Sequence, residues 1–344
     1  MEYGMEPVNT SNHFEQLSSS DGADPGNGSS KGRLLKNAAR MVSDRGAAFT
    51  LRRVIWRLHF ERFERRRETL SRHSQRPSII QFLGRDFELH HSNEGVSEEL
   101  RLFGVHEPAA TAEYLQTLSP GDHIIDVGAN LGYYLLLAAQ KVGATGRLLG
   151  FEPAPGVYEV LERNIRRSGF TNIQISPYAI GAASGTLEFY ESAIPNWGSV
   201  FKDSRLQQMR STMVEAKTID ELVRETPGFH PKALRMDVEG AELMVLAGAR
   251  EVLTRYKPCL FIEFHNFALG WGAVKSALLD LRKLGYTSGA LIERTWDQPW
   301  MSQWMRNRRR WKGSLDSLLA RIESSDNPLT ASTLILILKA PAQS

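Results

Sequence analysis

His123–Tyr134, HIIDVGANLGYY, is the stretch from which the rest of the chain can be read. An apolar run enters a glycine turn and continues into LGYYLLLAAQKV, the pattern of a buried strand, a tight turn and a helix. From Gly121 onward the alternation repeats. Strands are expected at HIIDVG, RLLGFEP, IQISPYAI, TLEFYES, ALRMDVE and CLFIEFH. Helices are expected at LGYYLLLAAQKV, PGVYEVLERNIRRSG, TIDELVRET, GAELMVLAGAREVLTRY and GAVKSALLDLRKLG. Such alternation predicts an α/β fold with a doubly wound, mostly parallel sheet. Ligands of these sheets bind beyond the carboxyl ends of the strands.

The first strand ends Asp126-Val-Gly128-Ala-Asn130-Leu-Gly132-Tyr133. A dinucleotide fingerprint requires G-x-G-x-x-G, whereas here three residues separate the glycines and a carboxylate stands two before the first. A diphosphate is repelled by that carboxylate, but a cofactor with a cationic end is attracted. S-adenosylmethionine, with an ammonium, a sulfonium and no phosphate, fits. Gly128 lets the backbone approach a ligand, Gly132 lets the helix pack closely, and the helix start receives a carboxylate. Glu152, before Pro153, lies about twenty residues on, where a ribose is held by its hydroxyls; it is equally placed to cap the following helix. Adenine is expected near Tyr178, Ala179 and Ile180.

Further strand ends are acidic. Asp237, Glu239 and Glu242 fall within six residues, and Asp237 and Glu239 share a face if the strand continues that far. Glu263 and His265 share a face at the next strand end. Buried carboxylates are costly without partners, and this grouping at the ligand end points to chemistry.

DVGANLGYY, GFEPAPGVYEVLERN, AIGAASGTLEFY, AKTIDEL and RMDVEGAELMVLAGAREVL…KPCLFIEFHN together resemble the FkbM-type family of S-adenosylmethionine-dependent methyltransferases, from about Gly95 to His265. The resemblance implies a class I methyltransferase, Rossmann-like fold closed by an antiparallel last strand, for which TASTLILILKA is the candidate. It also implies O-methylation, with sugars and polyketide-type natural products among the acceptors. Arg235 stands where the family often has lysine, and its planar fork is not equivalent to an ammonium.

The resulting expectation is an O-methyltransferase acting on a hydroxyl-bearing small molecule or glycan. Positioning supplies much of the acceleration, and a base assists a weakly nucleophilic alcohol. Asp237, Glu263 and His265 are the candidates, with His265 best matched to neutral pH; Glu239 is assigned to holding the acceptor or the loop. A metal held by Asp237, Glu263 and His265 is the alternative, but no closely spaced ligand motif marks such a site, and the expectation is an enzyme without one. Nucleic-acid methylation and a non-catalytic cofactor-binding module are the competing readings. The first lacks a base-methylation motif, and the second leaves the acidic strand ends unexplained.

Four segments precede or compose this domain: a polar tail at 1–32 expected to be disordered, a basic helical extension at 33–77, lead-in strands and helix at 78–118, and the methyltransferase domain at 119–344. Between residues 31 and 76, 14 Lys and Arg face four Asp and Glu. Such an arm is suited to peripheral contact with anionic surfaces, although the simpler reading is a solvated helix packed through Leu51, Val54, Ile55, Leu58 and Phe63. A Trp/Arg-rich insertion at 296–312, with Trp296, Trp300, Trp304 and Trp311, either covers the acceptor or packs on the core. His106-Glu107 is no zinc-protease motif, because HEPAA lacks the second histidine. One cysteine, Cys259, fits a reducing compartment. The start shows no signal-peptide pattern, and YYLLLAA and LILIL are too short to span a bilayer. The expectation is a cytoplasmic protein without a transmembrane segment.

Overall fold

The computed structural model describes residues 78–90, 95–192, 209–294, 297–301, 303–307, 310–323 and 333–341, with scattered positions between 54 and 65. The tail and most of the basic extension lie outside the described residues. Within that extension the described positions are helical, and Val54 and Leu58 are exposed. Among the described residues no helix is long and apolar enough to cross a membrane.

Strands β1 (Ile79–Phe82) and β2 (Arg85–Glu88) form a hairpin through Leu83 and Gly84, both at positive φ, which matches the twist of the flanking strands. Helices α1 (Gly95–Phe103) and α2 (Pro108–Thr117) follow. Next come β3 (His123–Val127), α3 (Tyr133–Val142), β4 (Arg147–Phe151), α4 (Pro155–Ser168) and β5 (Ile173–Ser176). Pro155 at the start and Gly169, at φ 72°, after the end bound α4, in keeping with their conformational preferences. Asn164 of α4 holds the hairpin, accepting from Glu88 N and donating to the carbonyls of Glu88 and Leu131.

The chain continues through β6 (Ala179–Ile180), β7 (Gly185–Ser192), β8 (Met209–Lys217), α5 (Ile219–Glu225) and β9 (Pro231–Met236). Thr218 caps α5 by accepting from Glu221 N. Helices α6 (Glu242–Ala247) and α7 (Arg250–Arg255) lead to β10 (Cys259–Phe264). Then follow α8 (Asn266–Leu269), α9 (Trp271–Lys283), β11 (Ser288–Glu293), α10 (Gln303–Asn307), β12 (Arg310–Ser314), α11 (Leu315–Glu323) and β13 (Leu334–Lys339).

The main sheet has the order β12-β11-β13-β10-β9-β3-β4-β5. Strands β5, β4, β3, β9 and β10 pair in parallel, and β13, the LILIL strand, is antiparallel to both β10 and β11. This is the class I methyltransferase arrangement expected from the sequence. Two apolar clusters cover its faces, one including Ile124, Leu135 and Phe261, the other Ile125, Leu234 and Leu278. Strand order reverses between β3 and β9, which makes their carboxyl ends the crevice of the sheet.

Four expectations change. IQISPYAI is divided, with β5 in the main sheet and β6 in a separate three-stranded sheet with β8 and β7, to which TLEFYES also belongs. ALRMDVE stops being a strand at Met236. GAELMVLAGAREVLTRY breaks into two helices at Gly248, where a Cβ would lie 2.1 Å from the Gly181 carbonyl oxygen. The Trp/Arg segment, expected as an insertion, contributes edge strand β12, and its Trp311 packs on the core. Trp296 and the Trp304 side chain lie outside the described residues.

Candidate active site

The turn after β3 is built for close approach. Gly128 has φ 77°, and a Cβ on it would lie 2.0 Å from the Asp237 carbonyl oxygen. Its N–H and that of Ala129 both donate to Phe151 O at 2.9 Å, tying the turn to the end of β4. Gly132 precedes α3 at φ 93°, and a Cβ there would meet Leu161 of α4 at 2.9 Å. Bare backbone thus replaces side chains on both sides of the turn.

Above it lies a cleft lined by Gly128, Asn130, Glu152, Pro153, Tyr178 and Ala179 among others. The structure brings these six predicted residues together. Glu152 Oε2 accepts from Asn130 N (2.9 Å) and Oε1 from Ala154 N (3.0 Å), so this carboxylate joins the glycine turn to the start of α4. Burial pushes its pKa up to about 7 despite these two donors.

Three other predicted cofactor residues do not line the cleft. Gly132 acts through packing. Tyr133 turns away, its hydroxyl donating to the His106 carbonyl (3.2 Å) beside Thr111; α3 begins at this residue and points its ring toward α2. Asp126 is fully buried beneath the turn, with Oδ1 bonded to Arg235 Nη1 at 2.9 Å and Oδ2 without a hydrogen-bond partner. Burial raises its pKa, opposed by Arg235.

Asp237 and Glu239 form the other wall. Although β9 ends before them, a turn with Glu239 at φ 49° brings both toward His265. His265 Nε2 lies 3.2 Å from Glu239 Oε2 and 3.8 Å from Asp237 Oδ1, and Nδ1 lies 2.7 Å from Glu242 Oε1. Burial disfavours a charged imidazole, but Glu239 and Glu242 outweigh it and hold the His265 pKa well above its usual value. Glu239 itself is raised to about 7, by burial against the pull of His265. Glu263 is raised well above the carboxylate range, first by burial and then by Asp237 and Glu107.

Arg235, unassigned in the sequence apart from its contrast with lysine, is central to the geometry. Its buried guanidinium bonds Asp126, the Gly128 carbonyl (3.3 Å) and Asp237 Oδ2 (3.1 Å), and lies 4.1 Å over the Tyr134 ring. This fork needs a planar donor set. Behind Glu263 is a second buried group with no catalytic reading in the sequence. His106 contacts Glu99 at 2.7 Å and Glu107 at 3.5 Å, Arg294 pairs with Glu107, and Tyr134 Oη donates to Glu107 at 2.7 Å. The one sequence signal was His106-Glu107 itself, which fits no familiar ligand pattern.

The Methyltransferase FkbM domain family matches residues 126–288, from the buried aspartate of β3 to the start of β11. The similarity is confined to that region, which is less than half of the chain. Methyltransferase sdnD of Sordaria araneosa is 29% identical over 40% of this chain and 64% of its own. Hexuronic acid methyltransferase AglP of Haloferax volcanii is 29% identical over 44% of this chain and 59% of its own. The chain therefore spans less than two thirds of either relative. A crystal structure of Methyltransferase FkbM from Methylobacillus flagellatus has 18% sequence identity, covering 54% of this chain and 46% of that one with a TM-score of 0.36. The matched region contains the cleft-lining residues and His265, whereas Glu107 and Arg294 fall outside it.

Proposed function

We propose that this protein is an S-adenosylmethionine-dependent O-methyltransferase acting on a hydroxyl of a glycan, polyol or polyketide-like product. The observation that carries the reading is the placement of Asp237 and Glu239, backed by His265, in the same cleft as Glu152 at the switch point of the sheet. Similarity to a hexuronic acid methyltransferase supports a sugar-like acceptor.

The residues fit the cofactor. Gly128 leaves room where a Cβ would collide, Asp126 keeps a partnerless buried oxygen under the turn, and Glu152 presents a carboxylate to the cleft. Glu152 would hold the ribose hydroxyls, Tyr178 and Ala179 the adenine, and the glycine turn the methionyl end. S-adenosylmethionine supplies an activated methyl group on a sulfonium.

The protein's own work is alignment and proton removal. Arg235 fixes Asp237 through one carboxylate oxygen. His265, held as an imidazolium by carboxylates at both nitrogens, is poorly disposed to accept a proton at neutral pH. We therefore assign proton acceptance to the Asp237–Glu239 carboxylate pair and give His265 the task of compensating their charge. Burial, with Asp237 and Glu107 nearby, favours the protonated form of Glu263, beside Arg294.

Calorimetric titration with S-adenosylmethionine tests the donor site, and labelled methyl transfer to glycans and polyols tests the acceptor. Saturable binding with label entering hydroxyl-bearing products is expected. A folded protein that binds no donor would remove the basis of the proposal.

A further inference from the structure

The cluster beside the cleft has the composition and spacing of a cation site. Asp237, Glu239 and His265 each offer one ligand atom, and these atoms all lie within 4.8 Å of one another. The two separations from His265 Nε2, 3.2 and 3.8 Å, bracket the edge of a coordination polyhedron. Metal–ligand bonds of about 2.0–2.2 Å give edges of roughly 3–3.5 Å. Little movement is needed to place an ion among them.

A second observation lies behind the histidine. Glu242 is fully buried, and its Oε2 has no hydrogen-bond partner, although Oε1 accepts from Gly240 N and meets His265 Nδ1. Among the described residues, His265 is the only ion-pair partner of Glu242. A buried carboxylate on the far nitrogen is the usual outer support of a metal-bound imidazole, fixing its orientation and raising its basicity. Asp237, Glu239 and Glu242 also place three carboxylates around one imidazole, with the Arg235 guanidinium already shared with Asp126. An ion bound here would displace the Nε2 proton of His265 and take over the charge compensation that the imidazolium provides.

We propose that Asp237, Glu239 and His265 bind a divalent first-row cation of the Mn²⁺ or Zn²⁺ class, oriented by Glu242, with its open coordination facing the acceptor side of the cleft. Mixed carboxylate and imidazole donors suit such ions better than Ca²⁺. The inference deepens the methyltransferase reading and rests on it for the ion's role: the acceptor hydroxyl becomes a ligand of the ion, and its proton becomes easier to remove. It also narrows the acceptor class to molecules with a second oxygen close enough to chelate, such as vicinal diols or hydroxy-ketones.

The test uses the full chain after chelator treatment and dialysis. Electron paramagnetic resonance with Mn²⁺ counts bound ions, and the visible spectrum with Co²⁺ reports the ligand field without any variant. One ion per chain and a Co²⁺ spectrum indicating nitrogen ligation are expected. Glu239→Gln should abolish saturable binding. Glu242→Gln, which removes no ligand, should weaken it by about 10-fold or more. Absence of saturable Mn²⁺ and Co²⁺ binding by the folded wild type would overturn the site, as would binding unchanged in Glu239→Gln. Titration with S-adenosylmethionine, with and without the ion, separates the two readings: donor binding without ion binding sinks only the cation, whereas no donor binding in either form sinks the transferase.

Discussion

Glu152 couples ligand binding to pH at the donor side of the cleft. Its pKa of about 7 reflects burial with only two backbone donors. A ribose diol would add donors to the carboxylate and lower that pKa, so binding favours the ionised form. Affinity for S-adenosylmethionine should therefore rise as pH increases from about 6 to 8 and flatten above. Glu152→Gln should lower affinity about 10–100-fold, the loss of charge-assisted hydrogen bonds, and make the remaining binding nearly independent of pH over that range. Calorimetry across pH checks both effects; an equally steep profile in the variant would assign the proton elsewhere. In the free protein the sign is opposite: the raised pKa contributes stability below about 4.5 that is lost as pH rises through 7. The acidic character of Asp126, Glu152, Asp237 and Glu263 was legible because each stands at a strand end. The protonation of His265 was not, since it depends on Glu239 and Glu242, which only the turn after β9 brings to the ring.

At the scale of elements, the fold depends on two ends that almost touch. A methyl group on Gly128, after β3, would lie 2.0 Å from the carbonyl oxygen of Asp237, after β9. Gly128→Ala places a side chain in the left-handed region and against a carbonyl oxygen, so it should cost about 2–5 kcal/mol of stability. Denaturant unfolding measures this loss, and an unchanged midpoint would mean that the two strand ends separate freely. Arg235 closes the same junction. Arg235→Met leaves Asp126 and Asp237 without their shared cation, for an expected cost of about 3–5 kcal/mol, whereas Arg235→Lys should recover part of it by retaining the charge. The strands β3, β4, β9 and β10 were readable because apolar runs end at turns or acidic residues. The break at Gly248 was hidden, because the apolar period runs through it and the neighbouring carbonyl belongs to Gly181. Strands β11 and β12 were also missed: the Trp/Arg composition masked pairing that is set by register, with Leu291 opposite Trp311.

Across the whole molecule, the buried ionic group ties the lead-in helices to the end of β11. Glu107 stands just before α2, Arg294 just after β11, and Asp297 caps α2 by accepting from Ala109 N and Ala110 N at 2.8 Å. These contacts join segments nearly two hundred residues apart, so no local pattern could have announced them. Burial alone would raise the Glu107 pKa, but Arg294, His106 and the Tyr134 hydroxyl reverse that and hold it at about 2. A carboxylate depressed in the folded state contributes stability at pH values above its unfolded pKa, and that contribution is lost as pH falls from about 4.5 toward 2. Glu107→Gln should thus cost about 3 kcal/mol at neutral pH, where Arg294 loses its closest counter-charge, and progressively less in acid. Urea unfolding of both proteins between pH 7 and pH 2.5 would show their midpoints converging on acidification. A constant difference would place the cost in packing rather than charge. Because the same group backs Glu263 through Arg294, the variant should also alter methyl transfer at neutral pH more than donor affinity, whose residues lie on the other wall of the cleft.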